Sequence, residues 1–340
     1  MPIRPNLGHV HSPPTGFDEA ALARLVSTQW SLTGPRLTYA PVGFGSHHWI
    51  LTDCRGLRRF VTVDDFRGDG GTARTDALRR ALRTARILSG RSGHVVAPLP
   101  ARDGRLVQEL NDGYAVAVFP FHEAARPVEP LHSDVRERLV DLLADLHSGT
   151  PLVTDVADYE MFDLPGRPAL VSALRGLHDG GPPDVWMTGP YAQPTRQLLS
   201  RHEAALLEVL RHYDGLVGRM QRDRRRWVIT HGEPHSRNLL ADGRRLLLID
   251  WDTARIAPPA RDLWHVDRGD GTDIARYAAA TGRSVPMDEI AFYRMKWDLM
   301  DICSYVEWFT APHTASADAE TGWGGLVEAF DHVDQWPVGG

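Results

Sequence analysis

The sequence predicts an α+β chain in two lobes: a small β-rich N-terminal lobe with one helix, and a larger helical C-terminal lobe. Three patterns carry that prediction. Before about residue 125, short apolar segments alternate with Gly and Asp turns, at 37–42, 49–52, 59–63, 106–109 and 114–119. They have the length and the β-favouring composition of strands. Among them one helix is predicted over 75–89. Ala77, Leu78, Ala81, Leu82, Ala85 and Leu88 fall on one face of it, and Arg79, Arg83 and Arg86 on another. After Pro130 the apolar spacing lengthens to a helical period, beginning with Val135, Leu139, Leu142, Leu143 and Leu146.

A Gly/Pro-rich interruption over 179–194 precedes a predicted helix at 201–211, and further helices are predicted over 287–310 and 325–333. Only 227–230 and 245–249 read as strands in this half. The lobes are drawn at 1–120 and 121–340, with a hinge over 119–123. There is no internal repeat and no low-complexity tract.

The 340 residues are 42% hydrophobic, which furnishes a substantial core. A net charge of −6 and the absence of any long Lys/Arg run argue against a nucleic-acid groove and favour a cationic small-molecule partner. Cys54 and Cys303, the only cysteines, lie far apart, which argues against a disulfide framework or a Cys-based zinc site. No apolar run reaches about 18 residues and the first 14 residues have no leader pattern, so a cytoplasmic protein without a membrane partner is expected.

The densest chemistry lies in His231-Gly232-Glu233-Pro234-His235-Ser236-Arg237-Asn238, between two strands, and in Ile249-Asp250-Trp251-Asp252 at the end of the second. Phosphoryl transfer needs a carboxylate to orient or deprotonate the attacking hydroxyl. It also needs an amide oxygen and a second carboxylate to hold magnesium against the phosphates. Glu233, Asn238 and Asp250 fill those places. A β-hairpin with a polar turn is the plain alternative. His231 and His235 do not suggest zinc, because their spacing means little in a loop containing Pro234.

This pattern resembles the aminoglycoside-phosphotransferase and choline-kinase-like superfamily, whose loop reads His-Gly-Asp, four residues and Asn, with Ile-Asp-Trp-Asp or Glu downstream. The resemblance implies a protein-kinase-like bilobal fold, ATP (with GTP open) and Mg2+ as cofactors, and magnesium ligation by Asn238 and Asp250. Glu233 stands where the family has its catalytic Asp, and its extra methylene suits a base only if loop or acceptor sits further back. Asp252 supports the metal site or faces the acceptor. Pro41-Val42-Gly43-Phe44-Gly45-Ser46 resembles the phosphate-covering loop, so Gly43, Gly45 and Ser46 are nucleotide candidates; a simple hairpin turn is the competing reading. Val118-Phe119-Pro120-Phe121 followed by Glu123 resembles the hinge that receives the adenine, which adds Phe119 and Phe121. Leu142-Leu143-Ala144-Asp145-Leu146-His147 resembles the helix that buttresses the loop, with His147 structural. Asp262 resembles an aspartate that hydrogen-bonds to the loop.

The family's phosphate-binding Lys on the third strand, and its Glu on the next helix, are both missing. Thr62 stands at the Lys position, and 75–89 contains no Glu. One reading has Arg79 or Arg83 reach the α- or β-phosphate; a solvated basic face is the other. In the family the acceptor meets the C-terminal helices. Over 293–308, Asp298, Asp301 and Glu307 beside Trp297, Tyr305 or Trp308 suit an ammonium-bearing sugar or cyclitol, although such aromatics also serve as core. The implied activity is ATP-dependent O-phosphorylation of an aminoglycoside, aminocyclitol or related antibiotic, by a monomer or homodimer. A metabolic kinase for choline, an amino alcohol or a sugar, and a catalytically silent ligand-binding protein, are the alternatives.

Overall fold

The structure is a computed structural model and describes residues 13–14, 16–43, 45–67, 70–111, 113–178, 186, 188–243, 245–333 and 336. By contact density the chain divides into two compact units. Among the described residues the first runs to Glu160 and resumes over Arg226–Pro286; the second comprises Met161–Arg225 and the chain from Met287 onward.

The first unit is built on an antiparallel sheet of β1 (Arg36–Ala40), β2 (His47–Thr52), β3 (Arg58–Asp65), β4 (Gln108–Leu110) and β5 (Tyr114–Pro120), in the order β1-β2-β3-β5-β4. Side chains alternate across such a sheet. Trp49, Leu51, Val61, Val63, Val116 and Val118 form the core face and pack with Leu22 and Val26 of helix α1 (Glu19–Trp30). The register places His48, Thr62 and Ala117 in one row of the opposite face, with Asp64 beside Ala115 one row on.

α1 is a departure from the sequence reading, which placed one helix in this lobe. The helix is there because Asp18 caps it, accepting from Ala21 N at 2.8 Å, and because Trp49 Nε1 donates to Glu19 at 2.9 Å. Its buried stripe is only Leu22 and Val26, too narrow to stand out as a period. Helix α2 runs over Gly71–Ser89, one turn earlier than the pattern indicated.

Also in the first unit, α3 (Ser133–Ser148) packs on α7 (Thr272–Thr281) and on β6 (Val228–Thr230). β6 pairs with β9 (Arg255–Ala257), and β7 (Leu239–Asp242) with β8 (Arg245–Leu248). A short helix, α6 (Ala260–Leu263), follows β9.

The second unit holds α4 (Arg167–Gly176), α5 (Ala192–Met220), α8 (Met287–Thr310) and α9 (Ala317–Val333). α5 is far longer than the predicted 201–211 and includes Pro194, which the first helical turn tolerates. α9 begins eight residues before the predicted 325 and contains Gly322, Gly324 and Gly325. Those glycines lower helix propensity, but two of them permit close packing on α8. A Cβ at Gly322 would lie 2.7 Å from the Trp308 ring, and one at Gly325 2.8 Å from the Tyr305 hydroxyl.

Gly166, ahead of α4, is tighter still. Its φ is +74°, and a Cβ there would come within 2.5 Å of the Cys303 carbonyl oxygen. Gly166→Ala is therefore expected to destabilise the protein by about 2 kcal/mol or more, read as a lowered thermal midpoint. Among the described residues no helix is long and apolar enough to cross a membrane.

Candidate active site

β6 delivers the chain into 231–235, a short turn at 236–238 follows, and β7 and β8 return it to Ile249 and Asp250. The loop is held at both ends. Ile249 N donates to Asn238 O at 3.1 Å, and Asp262 accepts from His231 N at 2.9 Å and Gly232 N at 2.6 Å. The same carboxylate meets His147 Nε2 at 3.0 Å, and His147 Nδ1 meets the Tyr277 hydroxyl at 2.8 Å. Asp262 and His147 are wholly enclosed. Burial alone would raise the Asp262 carboxyl, but its bond to His147 and the nearby Arg261 charge hold it below the usual carboxylate range. Asp262 and His147 thus buttress the loop from beneath, as the resemblance implied.

His231 is buried, and burial depresses its pKa. Nε2 donates to Ile249 O at 2.8 Å while Nδ1 accepts from Glu233 N at 3.3 Å, the pattern of one neutral tautomer. Gly232 has φ +104°, and a Cβ there would overlap the Arg261 guanidinium at 2.4 Å. Glycine is required by both measures. Arg261 in turn donates to Thr230 Oγ1 and Thr253 O, each at 2.9 Å, and pairs with the buried Glu160 at 3.0 Å.

Burial would raise the Glu233 carboxyl, yet His235, whose Nε2 lies 3.8 Å away, and the Arg261 charge bring it below its ordinary value. Glu233 is thus ionised near neutrality, the form a base needs. His265 closes the far side, meeting Gly232 O at 3.2 Å, and burial drives its pKa down to about 3. Asn238 Nδ2 donates to Glu233 O at 3.1 Å, which fixes the orientation of the amide.

Asp250 takes φ +67°, a left-handed conformation uncommon outside glycine. Asp250 itself is exposed, and Asp252, two residues on, is half-buried. Desolvation, then the Asp252 and Glu233 charges, then Asp64, push the Asp250 carboxyl well above the ordinary range. Burial and the Glu233 charge raise Asp252 to about 6. Such crowded carboxylates with an amide oxygen form a hard-oxygen set that a divalent cation would discharge. Among the described residues no three His, Cys, Asp or Glu side chains converge to hold a metal by themselves, so phosphate oxygens would complete this shell.

Between β1 and β2, Gly43 and Gly45 have φ +80° and +86°, while Phe44 lies outside the described residues. Ser46 Oγ donates to Asp64 Oδ1 at 2.5 Å. Phe119 faces Phe60 across the β3–β5 ladder, and Phe121 lies under the Arg58 guanidinium at 3.7 Å, with Arg58 paired to Glu123. Thr62 stands opposite His48, whose ring stacks on Phe60 at 5.0 Å.

Several candidates are engaged elsewhere. Arg79 donates to Asp76 at 2.9 Å and Glu109 at 2.6 Å, and Arg83 is exposed. Asp298 is 8% exposed, and its carboxylate meets His332 at 3.2 Å and Trp336 at 3.0 Å, which makes it an internal acceptor of the α8–α9 pair. Trp297, Asp301 and Glu307 remain half-buried on α8. The sequence reading assigned no role to Asp64, Arg261 or His265. Only the acidic pair Asp64-Asp65 at a strand end carried a signal.

A five-stranded antiparallel lobe, followed by a loop that presents Glu, Asn and two aspartates beside it, defines a kinase-like phosphotransferase. A family model described as the phosphotransferase enzyme family matches residues 38–293. Protein StrN of Streptomyces griseus is 32% identical over 239 residues, covering 68% of this chain and 70% of that one. Among solved structures, a spectinomycin phosphotransferase in complex with ADP and spectinomycin aligns with TM-score 0.68 at 16% identity, over 93% of this chain and 98% of that one. An amicoumacin kinase in complex with AMP-PNP, Ca2+ and Ami aligns with TM-score 0.61 at 13% identity, over 95% of each. The chain belongs to the phosphotransferase enzyme family, that of the aminoglycoside phosphotransferases, and is a phosphotransferase acting on a hydroxyl group of a small molecule.

Proposed function

We propose that the protein transfers the γ-phosphoryl group of ATP, with Mg2+, to a hydroxyl of an aminoglycoside, aminocyclitol or related cationic antibiotic. The observation that carries this is the set of Asn238, Asp250 and Glu233 on one loop and strand end, with the Asn238 amide fixed by its bond to Glu233 O and the loop held by Asp262. Asn238 and Asp250 would hold the metal, which screens phosphate charge while the attacking oxygen approaches. Glu233 accepts a hydrogen bond from the acceptor hydroxyl, orients it and takes its proton as the new O–P bond forms and the bond from the γ-phosphorus to the β,γ-bridging oxygen breaks, releasing ADP. Asp262, through His231 N and Gly232 N, keeps that carboxylate in position. Residues 1–120 serve the nucleotide and 121–340 the chemistry and acceptor, with Asp252, Trp297, Asp301 and Glu307 as candidate acceptor contacts.

An acidic chain suits a cationic acceptor, and a relative in fold was solved with spectinomycin. Phosphorylation would add negative charge to a ligand that relies on its cations, which is a resistance or self-protection chemistry. Two free cysteines, Cys54 and Cys303, agree with a cytoplasmic setting.

ADP release with Mg-ATP across aminoglycosides, spectinomycin, nucleoside and peptide antibiotics, choline, amino alcohols and sugars tests the reading. Turnover with a cationic antibiotic is expected. Turnover confined to choline, amino alcohols or sugars would make it a metabolic kinase, and nucleotide binding without any turnover a silent one. Glu233→Gln is expected to lower kcat with the best acceptor by about a hundredfold or more at unchanged nucleotide affinity, measured by steady-state kinetics and calorimetry.

A further inference from the structure

Arg261 stands one residue before the loop-holding Asp262 and turns each nitrogen of its guanidinium to a different part of the chain. Nε pairs with Glu160 at 3.0 Å. Nη1 donates to Thr230 Oγ1 at 2.9 Å, at the end of β6, where the chain enters the loop that carries Glu233. Nη2 donates to Thr253 O at 2.9 Å, one residue beyond Asp252. The flat group is pressed against Gly232, where a Cβ would overlap Nη1, Nη2 and Cζ together.

Each of these partners is itself tied down. The Thr230 hydroxyl, wholly buried, donates in turn to Arg255 O at 2.8 Å, so it is engaged as donor and as acceptor. Thr253 Oγ1 donates to His231 O at 2.8 Å, a second link between the Asp250–Asp252 turn and the loop. Glu160 is buried, and its backbone N–H bonds to Ile256 O of β9 at 2.9 Å. The guanidinium therefore stands between a fixed carboxylate and the two segments that present Glu233 and Asp250. A lysine carries all its donors on one nitrogen and does not match three partners set around a plane.

We propose that Arg261 is a positioning residue of the transfer reaction, whose guanidinium keeps the loop that carries Glu233 in register with the turn that carries Asp250 and Asp252. Asp262 fixes the backbone of the first segment, and Arg261 joins that segment to the second. The carboxylate that takes the proton and the one that would hold the metal come from these separate segments. A shift of about 1 Å between them falls on the transition state, because the reacting groups must meet in one geometry. The inference rests on the phosphotransferase reading above and adds to it a residue that acts through Glu233 and Asp250.

Steady-state kinetics with Mg-ATP and the best acceptor of the panel, run beside thermal unfolding, tests it in the wild type, Arg261→Lys, Arg261→Met and the double variant Glu160→Gln/Arg261→Met. Arg261→Met strands the Glu160 carboxylate in the interior and is expected to lower the thermal midpoint. The double variant removes both charges and should recover most of that midpoint. Its kcat should nevertheless stay about tenfold to a hundredfold below wild type, with both KM values within about threefold. Arg261→Lys keeps a cation beside Glu160 and should fold with kcat at least about tenfold down. A kcat within about twofold of wild type, in Arg261→Lys or in the double variant at recovered midpoint, overturns the inference and leaves the phosphotransferase reading standing. So does a rise in KM at unchanged kcat. Should the double variant not fold, the kinetics of Arg261→Lys decide. A wild type that turns over no acceptor overturns the phosphotransferase reading itself.

Discussion

Replacing Asp250 by asparagine is expected to cut phosphoryl transfer at least about a thousandfold while the protein stays folded. The size follows from what the carboxylate does in a metal-dependent transfer. Under the proposed reading it would help hold a divalent cation, whose loss would fall on the transition state. Folding should survive because Asp250 is destabilised in the free protein. Desolvation and the charges of Asp252, Glu233 and Asp64 all oppose its ionisation. A neutral amide of the same shape relieves that repulsion, so the thermal midpoint without ligand should hold or rise while the added stability from Mg-ATP shrinks. Thermal unfolding with and without Mg-ATP, run beside steady-state kinetics, reads both effects. A variant that is inactive because it is unfolded would contradict this account.

Asp262 is expected to show the opposite balance, a large loss of stability with activity falling because the loop moves. Asp262→Ala removes the acceptor of two backbone N–H groups and the partner of His147, all fully buried. Donors stranded in the interior should cost roughly 3–5 kcal/mol in total, measured by urea unfolding. The pH dependence has a definite sign. Asp262 is held below the ordinary carboxylate range in the folded protein, so its contribution is complete above the unfolded value, about pH 4. It is lost as pH falls through the lower folded value. Asp262→Asn should therefore flatten the acid side of the stability profile as well as lower its plateau.

Much of this architecture can be read from the chain, and the failures have separable physical causes. The β3 and β5 segments were visible because buried β-branched residues alternate there, and α3 because seven of its residues are buried on a helical period. The loop from His231 to Asn238 and the turn at Asp250 stood out because polar residues gather between apolar strands. α1 was missed because two buried residues make no period. The first turn of α2 is not legible because Gly70 and Gly71 offer no capping side chain, so the periodic pattern begins at Thr75. α9 was cut short because its glycines read as breakers, when Trp308 and Tyr305 need the space. Asp298 looked available for a cationic acceptor because its partners, His332 and Trp336, lie more than thirty residues downstream. Pairings of that kind depend on tertiary contact and leave no local trace.

The central claim is that Asn238 and Asp250, beside Glu233, support transfer of a phosphoryl group to an acceptor hydroxyl. Its most direct test is mass spectrometry and 31P NMR of the acceptor recovered after incubation with Mg-ATP and the best substrate of the panel, with wild type and Asp250→Asn in parallel. The account predicts one added phosphoryl group, as an O-phosphomonoester, with wild type and none above background with Asp250→Asn. An acceptor recovered unmodified while ADP accumulates, or modified equally by the variant, would contradict it.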